Sequence, residues 1–373
     1  MANDGTANES SGDRWEVGSE FHWCGLPASP FLGWPRDVRW YMLARHAIAA
    51  LIGMRATLRP TLWLPSYFCP EVAEACRLFC DLREYSDDPR WTEPKWSSLR
   101  PGSSDFVLAV NYFGVREGGA WQHWRERHDC VLVEDHTQDL FSPWFLNSSA
   151  DYALASLRKT VPVPDGAMLW SPRGLPLPPE DNEQSSDWSG SALKLAAMFH
   201  KAGYLQGQGP DDLKPCFRDL QLKGEQLLGH SKISAISPYS RAYLANGVPR
   251  AWRQQRLENA QYLLERLDSL ESAELVFRRW PEGAVPFVVL LTFLAQSERD
   301  ACQASLRRRN IYCPVHWVCQ TDDVQARDLS SRILSLPIDQ RYGRDEMRRM
   351  AAALHDFHGA FAPKAKYVQA DVE

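Results

Sequence analysis

Short, continuous apolar runs in the first half of the chain constrain its fold more than any other feature. Residues 105–110 (DFVLAV) and 130–134 (CVLVE) are the clearest of these runs. Their apolar side chains are continuous rather than alternating, which is typical of parallel strands that are covered on both faces. Four further runs have the length of a strand and lie at residues 61–64, 81–85, 152–156 and 166–170.

Helical patterns separate these runs, at residues 40–54, 71–79 and 121–127. Strands that alternate with helices predict an α/β fold whose large domain has a mostly parallel sheet flanked by helices. In the second half a long helical pattern is followed by strand, helix, strand and helix, which predicts a smaller C-terminal α+β domain. The predicted organisation is a disordered N-terminal segment at 1–20, a large domain at 21–250 and a small domain at 251–373.

The composition excludes several classes of function. The net charge of -5 provides no basic surface for nucleic acid. No apolar run approaches the roughly 20 residues that a membrane-spanning helix needs, and the polar first 20 residues do not resemble a signal peptide. The nine cysteines include no CxxC pair, so buried thiols are expected rather than a metal site. We therefore expect a cytoplasmic protein that binds neither nucleic acid nor a membrane.

Polar side chains follow three of the predicted strands, at residues 111–114, 135–138 and 156–159. Ligands bind beyond the carboxyl ends of strands in sheets of this kind. Pyridoxal 5′-phosphate (PLP) needs a lysine that forms a Schiff base and a carboxylate that faces its pyridine nitrogen. Lys159 and Asp135 offer these two groups. Taken singly, each has a simpler interpretation, since Lys159 fits a surface charge and Asp135 fits a turn residue.

The two segments that contain these residues resemble one known family. VLVEDHTQDL (131–140) and ALASLRKTVPVPDGAML (153–169) are similar to the active-site stretch of the DegT/DnrJ/EryC1/StrS sugar aminotransferases, which are PLP-dependent enzymes of fold type I. The resemblance implies that Asp135 pairs with the pyridine nitrogen and that Gln138 contacts the side of the ring that carries the hydroxyl. It also implies that Ser156 contacts the phosphate and that Lys159 forms the internal aldimine.

Weaker similarities extend over about residues 40–360, and they add further candidate residues. Phe113 in VNYFG and His316 in CPVHW match segments that the family uses on the substrate side. The helix start at 44–47 lacks the family's glycine, so Arg45 and His46 are the candidates there for binding phosphate. Tyr67 or Phe68 is the candidate for the ring that stacks on PLP, with ordinary core packing as the alternative for both.

The resemblance implies a homodimeric aminotransferase whose active site is shared between the subunits. An amino donor such as glutamate and a ketone acceptor would be its small-molecule partners, and the acceptor would be a keto sugar, nucleotide-linked in most of the family, or a related ketone. Two alternatives stay open from the residues alone. One is another PLP reaction on the same fold, such as lyase or decarboxylase chemistry, and the other is a non-catalytic binding or regulatory protein.

Overall fold

The structure is a computed structural model that describes residues 14–55, 59–139, 141–179, 186–210 and 212–357. Its strands are β1 (Val17–Gly18), β2 (Phe31–Leu32), β3 (Arg39–Tyr41), β4 (Thr61–Pro65), β5 (Asp81–Tyr85), β6 (Phe106–Val110), β7 (Val131–Asp135), β8 (Tyr152–Ser156), β9 (Ala167–Trp170), β10 (Val248–Pro249), β11 (Glu274–Leu275), β12 (Val288–Thr292), β13 (Ile311–Tyr312) and β14 (Ile333–Pro337). Its α-helices are α1 (Ala44–Arg55), α2 (Pro70–Cys76), α3 (Gly119–Arg125), α4 (Pro143–Leu146), α5 (Ser189–Leu205), α6 (Leu213–Gly229), α7 (Pro238–Tyr243), α8 (Arg250–Leu267), α9 (Gln296–Arg308), α10 (Val324–Arg332) and α11 (Arg344–His355).

A seven-stranded sheet forms the centre of the first half, in the order β3-β9-β8-β7-β6-β4-β5. The five strands from β5 to β8 run parallel, while β9 and β3 are antiparallel to their neighbours. Every residue of β6, β7 and β8 is buried, as expected for strands covered on both faces. The predicted large domain with a mostly parallel sheet flanked by helices is therefore confirmed.

The register of β6, β7 and β8 places their carboxyl ends side by side. Val110 pairs with Asp135, and Asp135 pairs with Leu154. The polar segments that follow the three strands consequently emerge at one edge of the sheet. This edge is where the sequence predicts a ligand site.

The second half forms a separate apolar core around a three-stranded antiparallel sheet, in the order β11-β12-β14. Helices α8, α9 and α11 pack around it, and Leu263, Leu291, Leu306 and Met350 are fully buried there. This arrangement is the expected small α+β unit. The boundary between residues 250 and 251 stays a prediction.

The N-terminal residues 14–20 differ from the predicted disorder, while residues 1–13 lie outside the described residues. β1 pairs in parallel with β13, and the Gly18 N–H donates a 2.8 Å hydrogen bond to the Tyr342 hydroxyl. The polar composition of this segment obscured its buried Val17, whose partners lie some 300 residues further along the chain.

Two helices that follow β9 form a hairpin whose close packing depends on glycine. The sequence predicts helices at 192–201 and 219–228, and α5 and α6 are both longer than these ranges. A Cβ added to Gly190 would lie 2.9 Å from the Gly224 carbonyl oxygen, closer than ordinary packing allows. The start of α5 therefore packs on the end of α6, and the helices run antiparallel.

The predicted helix at 40–54 starts later than expected because residues 39–41 form β3, an edge strand of the central sheet.

No helix in the described part of the chain is long and apolar enough to cross a bilayer.

We expect Leu154→Ala to lower the free energy of unfolding by about 2–5 kcal/mol, because it leaves a cavity in the central strand β8. Leu154 is fully buried, whereas Leu78 is 83% exposed. Leu78→Ala is the matched control and should change stability by less than about 0.5 kcal/mol. Urea denaturation followed by circular dichroism measures both, and equal effects would contradict this core assignment.

Candidate active site

A cleft of about 770 Å³ lies between the N-terminal segment, the hairpin and the small domain. Residues of several elements and loops line it, among them Lys159, Arg218, Phe287, Arg307, Tyr312 and His316. Two of these residues, Lys159 and His316, are predicted site residues. A cleft of this size accommodates a cofactor-sized molecule.

Lys159 ends the short 3-10 helix (Leu157–Lys159) that follows β8, and its side chain is exposed to the cleft. The neighbouring Arg158 makes a two-pronged ion pair with Glu225 of α6, with N–O distances of 2.7 and 2.8 Å. Lys194 of α5 lies 2.5 Å from the same carboxylate and 3.4 Å from that of Glu20. The hairpin and the N-terminal segment therefore hold Arg158 beside Lys159.

The charges around Lys159 favour its neutral amine. The positive charge of Arg158, followed by burial within the cleft, lowers the pKa of Lys159, while Glu20 and Glu225 act in the opposite direction. A lysine must be neutral to act as a nucleophile or a base, so this environment suits amine chemistry near neutral pH.

Asp135 is the last residue of β7 and is buried. Its Oδ1 accepts a 2.8 Å hydrogen bond from the Thr137 N–H, and the Thr137 hydroxyl oxygen accepts one of 2.9 Å from the Ser156 N–H. Thr137 thus joins the ends of β7 and β8, which carry two of the predicted cofactor-binding residues. Burial raises the pKa of Asp135, whereas the hydrogen bonds from Thr137 and the charge of His136 lower it.

Gln138 and Phe113 connect this strand end to the small domain. The Phe113 N–H donates a 2.9 Å hydrogen bond to Gln138 Oε1, and the Phe113 carbonyl accepts one of 2.8 Å from the Phe287 N–H. Phe113 has a left-handed φ of 55°, an uncommon conformation for a bulky residue. Its ring centroid lies 6.3 Å from that of His316.

Hydrogen bonds hold both the ring and the backbone of His316 in place. Its Nδ1 lies 2.9 Å from the Ser335 hydroxyl, and its carbonyl accepts a hydrogen bond from the Tyr67 hydroxyl. Burial and then the charge of Lys159 lower the pKa of His316 to about 3, so its imidazole is neutral. Tyr67 is fully buried, and Phe68 packs with its centroid 6.3 Å from that of Trp317.

Arg45 and His46, the candidates for phosphate binding, do not line the cleft. Arg45 Nη2 donates a 3.3 Å hydrogen bond to the Leu228 carbonyl. His46 Nδ1 accepts one of 3.3 Å from the Ser234 N–H, and burial followed by the charge of Arg45 lowers its pKa to about 4. A neutral His46 that is bonded to the backbone has little to offer an anion.

Sequence reasoning missed the charged residues that the N-terminal segment, the hairpin and α9 bring to the cleft. Glu20, Arg218, Glu225 and Arg307 lie on its walls. None of them occurs in a motif, and their proximity to Lys159 depends on how distant segments pack. Within the described ranges, no group of three or more His, Cys, Asp or Glu residues is arranged to hold a metal ion.

Comparison with known proteins identifies the fold by structure rather than by sequence. No family model matches the chain, and no curated protein matches its sequence significantly. Solved structures do match. Spr1654 from Streptococcus pneumoniae in its PLP form has a TM-score of 0.61 and 9% identity over 92% of this chain and 98% of that one.

Two further structures match at similar levels. DesI, solved in the presence of its TDP-sugar product, has a TM-score of 0.56 and 16% identity over 86% of this chain and 80% of its own. A DegT/DnrJ/EryC1/StrS aminotransferase from Brucella abortus has a TM-score of 0.55 and 14% identity over 86% of each chain.

The chain has aminotransferase fold type I. This fold confirms the predicted fold class, and the likeness to DegT/DnrJ/EryC1/StrS aminotransferases is confirmed at the level of the fold. In this fold, β6, β7 and β8 belong to the sheet of the large domain. The cleft lies between the large domain and the small domain.

We expect Arg158→Gln to raise the pKa of Lys159, because it removes the positive charge that acts most strongly on this amine. The rate of Lys159 modification by an amine-specific reagent, followed against pH by peptide mass spectrometry, measures the change. Arg348→Gln, at an exposed arginine of α11, is the matched control and should leave the profile unchanged. An unaltered profile in Arg158→Gln would contradict the electrostatic assignment.

Proposed function

We propose that this protein is a PLP-dependent aminotransferase that moves an amino group from a donor such as glutamate to a keto sugar or related ketone. The observation that carries the proposal is the relation between Lys159 and Asp135. Lys159 follows strand β8 into the cleft, and Asp135 ends the strand paired with β8. An amine and a buried carboxylate at adjacent strand ends are the two groups that PLP chemistry requires.

The residues at this edge fit the cofactor by their chemistry. Lys159 supplies the amine for the aldehyde of PLP, and its lowered pKa favours condensation. Asp135 supplies the carboxylate for the pyridine nitrogen. Ser156 is bonded to Thr137, the hydrogen-bond partner of Asp135, and Gln138 lies in the segment that follows β7. Spr1654, whose fold this chain shares, was crystallised in a PLP form.

Each residue has a distinct task in the proposed reaction. Bound PLP supplies an electron sink for the bond that is broken at the substrate carbon. Asp135 keeps the ring nitrogen protonated, and the amine of Lys159 takes and returns the proton of the donor α-carbon.

The remaining charges of the cleft suit an acceptor that carries phosphate. Arg218 lies over the Tyr312 ring, 5.3 Å from its centroid, and is exposed to the cleft. Neither Arg218 nor Arg307 forms an ion pair with a carboxylate of the described residues, whereas Arg158 and Arg341 are both paired. Guanidinium groups bind phosphate with two hydrogen bonds, and DesI was solved with a TDP-sugar product. We therefore assign a nucleotide-linked keto sugar as the acceptor.

We also propose a cytoplasmic homodimer that shares its active sites between subunits. Leu222 and Leu227 of α6 are 72% and 46% exposed, on the helix that lines the cleft. Exposed apolar side chains beside a site are suited to contact with a second subunit.

We expect the purified protein to turn yellow with PLP, and borohydride to fix a pyridoxyl group on Lys159. Peptide mapping locates the adduct. Lys159→Ala should abolish it, and Asp135→Ala should weaken PLP binding and nearly abolish turnover with labelled glutamate. Lys223→Ala, at an exposed lysine of α6, is the control and should behave like the wild type.

Different results would overturn different parts of the proposal. A protein that stays colourless with PLP would support a non-catalytic role for the fold. An adduct on Lys159 without transfer of labelled nitrogen to any ketone would favour lyase or decarboxylase chemistry.

We expect Arg218→Ala and Arg307→Ala each to raise KM for a phosphorylated acceptor about tenfold to a hundredfold, because each removes a charged hydrogen bond. The value of kcat should change little, since these residues bind a part of the substrate away from the reacting carbon. Steady-state kinetics with a nucleotide-linked keto sugar and with the free keto sugar provide the test. An equal loss with both acceptors would exclude phosphate recognition.

A further inference from the structure

A buried histidine, His136, follows Asp135 directly and lies between two carboxylates. It is fully buried, and its Nε2 lies 3.1 Å from Glu134 Oε2 while its Nδ1 lies 3.8 Å from Asp139 Oδ2. The proposed reaction does not use this side chain. Burying two carboxylates costs free energy unless a positive charge balances them. The presence of a histidine between them, next to Asp135, therefore needs an explanation.

Both carboxylates around His136 are held in place by other hydrogen bonds. Glu134 accepts one from the Ser148 hydroxyl. Asp139 accepts backbone hydrogen bonds at 2.9 and 2.8 Å and one of 2.5 Å from Asn111 Nδ2, and a further one from a serine hydroxyl. These hydrogen bonds fix the positions of both carboxylates beside the imidazole.

The charge balance makes His136 a cation at neutral pH. Burial by itself lowers the pKa of His136, but Asp139 and Glu134 outweigh it and raise this pKa to about 9. The other side chains packed on the ring are Trp144, Phe145 and Trp170, from α4 and β9, which carry no charge. The titratable neighbours that face the imidazole are therefore carboxylates.

The charge of His136 acts on Asp135. Burial raises the pKa of Asp135, which opposes the ionised form that PLP needs. The Thr137 hydrogen bonds, and then the charge of His136, act in the opposite direction and reduce this rise without reversing it. A cation next in the chain, paired with Glu134 and Asp139 in the buried cluster, counteracts that burial.

We infer that His136 is a positioning residue, an imidazolium paired with Glu134 and Asp139 that favours the ionised form of Asp135, the carboxylate proposed to face the pyridine nitrogen of PLP. The inference rests on the proposed function. It gives the buried Glu134–His136–Asp139 cluster a role in cofactor binding, which is to act on the charge of Asp135.

The protonation state of His136 is directly measurable. In the full-length protein without PLP, the imidazole ¹⁵N signals of His136 are identified by their loss in His136→Gln. We expect both ring nitrogens to carry protons through pH 8, with titration near pH 9, whereas an unperturbed imidazole titrates near pH 6.5. A neutral imidazole at pH 7 would overturn the inference.

The effect on the cofactor is tested by the dissociation constant of PLP. We expect His136→Gln to weaken PLP binding at pH 7.5 about tenfold, the equivalent of one pKa unit of coupling. His123→Gln, at an exposed histidine of α3, is the control and should bind as the wild type does. Affinity unchanged in His136→Gln would also overturn the inference.

A third variant separates an electrostatic role from a structural one. Glu134→Gln keeps the shape of the side chain and an oxygen for Ser148, but it lowers the pKa of His136. The ratio of its PLP dissociation constant to that of the wild type should be larger at pH 8.5 than at pH 6, where His136 regains its proton. A ratio that is constant over this range would show a structural role and contradict the inference. If the wild type does not bind PLP at all, the proposed function fails instead, whatever the histidine signals show.

Discussion

The parallel pairing of β7 with β8 is the constraint on which the candidate site depends. A shift of one residue in this register would turn Asp135 and Leu154 to opposite faces of the sheet. The continuous burial of both strands opposes such a shift, because each apolar residue fills a layer of the core. The place of Asp135 relative to Lys159 therefore depends on packing along two buried strands, together with the Thr137 hydrogen bonds at their ends.

A second layer of structure controls the environment of Lys159. The hairpin α5–α6 brings Glu225 and Lys194 to Arg158, and the N-terminal segment adds Glu20. Arg158 thus keeps its charge at a fixed place, where it acts on the lysine. The sheet determines where the amine lies, and this charge network determines how basic it is.

Much of the fold could be predicted from the sequence, and the reasons are local. β7 and β8 were predicted to within one residue, since an apolar run bounded by polar residues is visible in a short window. Lys159 and Asp135 were candidates because each follows such a run, and only Lys159 of the two lines the cleft.

The residues that sequence reasoning missed depend on long-range packing. Arg158 and Glu225 are 67 residues apart in the chain, and no local pattern links them. The sequence predicts His46 as a phosphate ligand from its place near the start of α1, and no local pattern indicates that its Nδ1 accepts a hydrogen bond from the Ser234 N–H. Its role in binding phosphate stays a prediction. Periodicity indicates which residues are buried, and it does not indicate which partner a polar side chain meets.

The N-terminal segment has a mechanical consequence for the cleft. Glu16 forms ion pairs with Lys201 and Lys214 of the hairpin, while the adjacent β1 is hydrogen-bonded to the small domain. One short segment thus fastens two walls of the cleft to each other. Moving these walls apart would break ion pairs whose shared carboxylate is almost fully buried, so Glu16 acts as a cross-link that limits how far the cleft can open.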